Sequence, residues 1–101
     1  MTLKDDLAQL PIDRLQRLAN PDLAQVAERI HRLATQLLAS HERAAELDNS
    51  FRLSRAELEA GRGVDAVLDL VRAQEKIVSA SLGPNQSKSY LDRVGQLLAT
   101  V

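Results

Sequence analysis

Between Asn20-Pro21-Asp22 and Gly61 the chain runs for about forty residues without a glycine or a proline. Nothing else in the sequence constrains the fold so strongly. Asn20 can cap free amides, Pro21 suits a first helical turn and Asp22 complements the helix dipole. Downstream, one heptad register holds without a stutter. Leu23, Ile30, Leu37, Ala44, Phe51 and Leu58 occupy its a-type positions, and Val26, Leu33, Ser40, Leu47 and Ser54 its d-type positions. Nine of these eleven are apolar, the signature of a helix with one seam to bury. The spacing predicts a single helix over 21–60, roughly 60 Å long at 1.5 Å per residue. Its seam is carried by Leu23, Ile30, Leu33, Leu37, Leu47, Phe51 and Leu58. Glu28–Arg32 and Asp48–Arg52 are expected i,i+4 pairs on the opposite face.

Gly61-Arg62-Gly63 ends this run, with Gly61 suited to a left-handed C-terminal cap. A second helix is expected over 64–82 and a third over 86–101. Gln74 interrupts the apolar face of the second, and Gly95 weakens the third by about 1 kcal/mol relative to Ala. Ser87 or Ser89 is expected to cap the third helix, with Asp92 completing a capping box. Folding back at Arg62 sets Gly83-Pro84 opposite Ser40 and His41, so two weaknesses coincide. The fold class is all-α. Its first form is a long coiled-coil-like hairpin with a Gly-Pro kink in the second arm, and its second is a compact three-helix bundle. The leader, residues 1–20, is expected to form short amphipathic helices, with Leu3, Leu7 and Leu10 on one side of Pro11 and Ile12, Leu15 and Leu18 on the other. Residues 21–101 form the hairpin or bundle.

Composition narrows function by exclusion. The 101 residues contain no Cys and no Trp, and a single Phe and a single Tyr, which removes disulfides and thiol chemistry. The formal net charge is −1, and the arginines are interleaved with acids, so nucleic acid is an unfavoured partner. No apolar run approaches the roughly 20 residues that cross a bilayer. The first residues lack a signal-peptide core, so the expected location is the cytoplasm, or export without a cleaved signal. Ten arginines against three lysines point to a GC-rich bacterial source.

The chemistry sought is not found. His31 and His41 lie ten residues apart, too far along one helix to share a metal, and both read as surface or rim residues. Asp65 and Asp69 read as dipole partners near a helix start. Gly61-Arg62-Gly63 lacks the rest of a phosphate loop. No catalytic, cofactor or metal site is expected, and the chain reads as a non-enzyme.

What remains is helix recognition. Leu38, Leu53, Leu68, Leu70 and Ile77 exceed what one seam buries. Val67, Leu70, Ile77, Leu91, Val94 and Leu98 are therefore candidates for a client or self-association surface. The segment Arg55-Ala56-Glu57-Leu58-Glu59-Ala60-Gly61, with Ala66-Val67-Leu68-Asp69-Leu70, resembles the helix–Gly–helix cadence of flagellar and type III secretion chaperones. The last forty residues resemble the C-terminal halves of flagellar rod-base and type III inner-rod proteins at Ala60-Gly61, Glu75-Lys76 and Lys88…Leu91-Asp92…Leu97-Leu98. Gly83-Pro84 and a missing basic–Asn cluster depart from that pattern. The Trp-x-Gly turn of type VII secretion substrates is absent. The expected function is a small bacterial assembly adaptor or export-type chaperone that acts as a homo-oligomer or in a hetero-complex. A structural subunit of a secretion rod or phage particle is the first alternative. A dimeric regulator of transcription or replication is the second.

Overall fold

The computed structural model describes residues 10, 12–39 and 42–101. Leu3, Leu7, Pro11, Ser40 and His41, all weighed above, lie outside the described residues. The protein is all-α. Helix α1 spans Ile12–Gln16, α2 Asn20–Leu37, α3 Ala44–Glu59, α4 Val64–Leu82 and α5 Pro84–Thr100. Helix α4 packs against α2, α3 and α5, while α2 also touches α5 and α1 rests on α5. The molecule measures 33 × 27 × 20 Å with a radius of gyration of 12.5 Å, close to the roughly 13 Å of a globular chain of this length.

The 60 Å helix expected over 21–60 therefore does not form. The run is two helices, ending at Leu37 and restarting at Ala44. Leu38 shows why the break is favourable. It lies off the heptad seam, and a straight helix would leave it on the open side of a hairpin. As the residue that closes α2, with its N–H bonded to the Ala34 carbonyl, it is instead 1% exposed. Breaking the helix forgoes a few backbone bonds. In return both halves lay their apolar faces on α4, and a fully buried leucine stabilises by about 1.5–3 kcal/mol.

Local signals place the remaining turns. Helix α2 begins one residue earlier than expected. Ala19 is the cap residue, its carbonyl accepts the Leu23 N–H, and Asn20 makes no capping bond. The α3–α4 turn is a Schellman motif: the Arg62 N–H bonds the Glu57 carbonyl and the Gly61 N–H bonds the Leu58 carbonyl, with Gly61 at φ +91°. The Arg62 side chain then bonds Glu57 and, at 2.7 Å, Asp69, tying the end of α3 to α4.

Gly83 makes a full turn, not a kink, because α4 and α5 pack against each other. Its N–H closes α4 on the Ser79 carbonyl and its own carbonyl opens α5 to the Ser87 N–H. Pro84 begins α5, two residues before the expected start. The backbone at φ +96°, ψ 175° is open almost only to glycine. Nothing lies within 4 Å of where a Cβ would sit on Gly83, so a substitution there meets backbone strain alone. Ser87 lies inside α5, buried, and caps nothing.

Gly83→Ala is expected to destabilise the protein by about 1–3 kcal/mol, lowering the melting temperature by about 4–8 °C per kcal/mol. Gly95 is helical, and an added Cβ would make an ordinary 3.7 Å contact with Leu10. Gly95→Ala is expected to stabilise by about 0.5–1 kcal/mol. Thermal denaturation of the two variants checks both signs.

Candidate functional site

The positions proposed from sequence for a partner surface are in the core. Val67, Leu70, Leu91, Val94 and Leu98 are buried and Ile77 is half-buried against them. They would be exposed only on an arm with one buried seam. In the bundle α4 is covered by three helices, so most of its apolar circumference is used, and α5 turns its apolar stripe inward. The seam positions mostly keep their role: Leu23, Ile30, Leu47 and Leu58 are buried, and Leu33, Leu37 and Phe51 are half-buried against the core. Ser54, a polar seam position, is buried and donates to the Ala66 carbonyl at 3.2 Å, anchoring α3 on α4.

The largest departure from a plain apolar core is a polar chain across all four long helices. Gln74 on α4 is fully buried. Its side-chain nitrogen lies 2.8 Å from His31 Nδ1 on α2 and 3.4 Å from the Leu47 carbonyl on α3. Its oxygen accepts the Tyr90 hydroxyl of α5 at 3.2 Å. His31 Nε2 lies 3.0 Å from Asp48 Oδ1. A backbone carbonyl only accepts, so the atom facing Leu47 is the amide NH2, and the amide orientation follows. Gln74 then donates to His31 Nδ1, and His31 Nε2–H donates to Asp48. The bonds run in one direction: Tyr90 to Gln74, Gln74 to His31, His31 to Asp48.

Tyr90 is the largest fully buried side chain. Burial pushes its phenol well above the usual range, and the Glu75 carboxylate adds to that shift. Glu75, also buried, accepts the Ser87 hydroxyl. His31 stacks on Phe51, with ring centroids 4.6 Å apart and planes tilted by 32°, and the Arg55 guanidinium sits 5.9 Å above the Phe51 ring. The Glu28–Arg32 pair forms at 3.5 Å. The Asp48–Arg52 pair does not, because Asp48 turns to His31 and Arg52 bonds Asn49 at 2.6 Å. Asp69, singled out with Asp65, is occupied by Arg62.

An open groove runs from the α2–α3 seam onto α3, made of two adjoining hollows that share Phe51 and Arg55. Pro21, Ala24, Gln25 and Glu28 line one hollow. Asp48, Arg52, Ala56 and Glu59 line the other. The single Phe is thus partly open to solvent at a groove lined by Pro21, Ala24 and Ala56 and by charged side chains of both signs. Among the described residues no three His, Asp or Glu side chains gather as a metal site, and no helix is long and apolar enough to cross a membrane.

In the sequence Gln74 reads only as an interruption and His31 only as a rim residue. The signal available was that Gln74 stands in phase with Val67, Leu70, Val71 and Val78, so it had to be buried and bonded. Its partner lies 43 residues away, and no spacing rule supplies that. No protein-family model matches the chain, and neither a curated protein nor a solved structure matches it.

Gln74→Leu is expected to cost about 1–3 kcal/mol for each buried group it strands. It removes the partner of the Tyr90 hydroxyl and two acceptors' donor. Tyr90→Phe strands only the Gln74 oxygen and is expected to cost less. The double variant is expected to lose less than the two losses combined, as denaturant unfolding would show. Because the folded state holds the phenol proton more tightly, Tyr90 contributes stability below the usual phenolic value of about 10, and that contribution is lost as pH rises above it. Phenolate absorbance is expected to appear in strong alkali only together with loss of helix.

Proposed function

We propose that the protein is a non-catalytic helical interaction module that receives an amphipathic helix of a partner protein in the α2–α3 groove. The observation that carries this reading is Phe51. Most of the large apolar side chains lie in the core, yet the one phenylalanine is half-exposed at a groove, with Arg55 above its ring. Phenylalanine and arginine are among the residue types enriched at the cores of protein interfaces. Ala24 and Ala56 leave room beside the ring, and Glu28, Asp48, Arg52 and Glu59 supply polar contacts at the rim. The likeness of residues 55–70 to the helix–Gly–helix cadence of export chaperones supports an exported protein as the class of partner.

Ala56 is exposed at the groove, so Ala56→Arg fills it without disturbing the core. Affinity capture by the wild type, Ala56→Arg and, on a different surface, Asp92→Arg should separate the cases when captured proteins are quantified by mass spectrometry. A true partner is expected to fall at least about tenfold, roughly 1.4 kcal/mol, with Ala56→Arg and to be retained by Asp92→Arg. Equal capture by all three would refute the groove as the docking site.

A further inference from the structure

We propose that His31, Gln74 and Tyr90 form a proton-sensitive latch, in which protonation of His31 turns the Gln74 amide over and withdraws the acceptor used by the Tyr90 hydroxyl. The inference rests on the direction of the hydrogen bonds. Neutral imidazole has one donor nitrogen and one acceptor nitrogen. Here the donor faces the Asp48 carboxylate and the acceptor faces the Gln74 NH2 group. A proton added at Nδ1 sets two donors against each other. Asp48 is an acceptor in either state, so Gln74 is the group that must change. Rotation of its amide brings the oxygen to His31 Nδ1–H and the NH2 group to Tyr90. The Leu47 carbonyl loses its side-chain donor, and the tyrosine hydroxyl hydrogen loses its acceptor.

The site is arranged so that this change travels. His31 is near solvent, its side chain 14% exposed, whereas Gln74 and Tyr90 are fully buried. A proton taken up at the edge of α2 is therefore felt at the α4–α5 contact. The groups facing the imidazole are few. Helix α3 presents Asp48, with Phe51 stacked on the ring and Arg55 over Phe51. Helix α4 presents neutral Gln74, followed by Glu75, which is bonded to Ser87 of α5 and acts electrostatically on Tyr90. Helix α5 presents Tyr90 itself, through Gln74. On α2, one turn before His31, Glu28 is paired with Arg32. No other titratable side chain is bonded to the Tyr90–Gln74–His31–Asp48 chain among the described residues.

The chain carries its own reporter, because Tyr90 is the only tyrosine and there is no tryptophan. Tyrosine fluorescence and near-UV dichroism of the full chain, followed from about pH 8 to pH 5 where imidazoles titrate, test the latch directly. The expected result is a shift in the Tyr90 signal that shares its midpoint with the His31 imidazole in NMR, without loss of far-UV helix signal. At the neutral end His31 is expected as the Nε2–H tautomer. The shift is expected to vanish in His31→Gln. It is also expected to vanish in Gln74→Glu, whose carboxylate keeps an acceptor oxygen facing the Tyr90 hydroxyl in either protonation state of His31. It is expected to persist in His41→Gln and Glu75→Gln. A Tyr90 signal that stays flat while His31 titrates would overturn the proposal. So would a shift that survives His31→Gln or disappears in Glu75→Gln, or an Nδ1–H tautomer at neutral pH. The tautomer and the coincidence of midpoints are read in the wild type, so the test stands even where a core variant fails to fold.

Discussion

Burial of α4 on three sides is the constraint from which the rest of the bundle follows. Its apolar residues, Ala66, Val67, Leu70, Val71 and Val78 among them, circle too much of the helix for a single neighbour to cover. A two-arm hairpin would leave part of that surface in water. Covering it takes three helices, and the chain has three of sufficient length only if the first forty-residue run is divided. The break between Leu37 and Ala44 is thus a consequence of what lies downstream, where the helix that needs covering is made. The one-residue turn at Gly83 belongs to the same solution, because it returns α5 directly against α4 and leaves no slack.

An apolar centre of this kind is permissive: Leu, Val and Ala faces can slide or rotate past one another at little cost. The polar chain removes that freedom. Gln74 has partners on α2, α3 and α5, and each bond is met only in one rotational and axial setting of the helices. Ser54 on the Ala66 carbonyl and Ser87 on Glu75 add two further fixed points. Stranding any buried member costs more than the bond contributes when made. The chain therefore selects one arrangement of the four helices from several of similar apolar burial. The same connection makes the α2–α3 groove continuous with the interior, since Asp48 lines the groove and also ends the hydrogen-bonded chain.

Parts of this were legible in the residues. The all-α class followed from the long run free of Gly and Pro and from the apolar periodicity. The turn at Gly61 and the start of α4 at Val64 followed from local chemistry, because a left-handed glycine after an apolar helix has few other uses. The identity of most seam residues also held, since an apolar stripe is buried whichever partner covers it. Phe51 was readable as a seam residue, but its half-open position beside Arg55 depends on how far apart α2 and α3 sit. Ser87 was misread as a cap because Pro84, Asn85 and Ser87 resemble a helix start, whereas the helix begins at the proline itself.

What the sequence determined alone is therefore the helical class, the glycine turn at 61–63 and which faces are apolar, all set by interactions within a few residues, whereas the full turn at Gly83 followed only from the packing of α5 on α4. Which apolar face meets which was decided only in three dimensions. The heptad register of 23–58 is equally consistent with one long helix and with two shorter ones, because periodicity describes a face and carries no information about length once a partner is missing. Leu38, Gln74 and Tyr90 settle the matter through contacts with residues far away in the chain. Their burial becomes favourable only when all four long helices are already in place, so no local pattern could announce it.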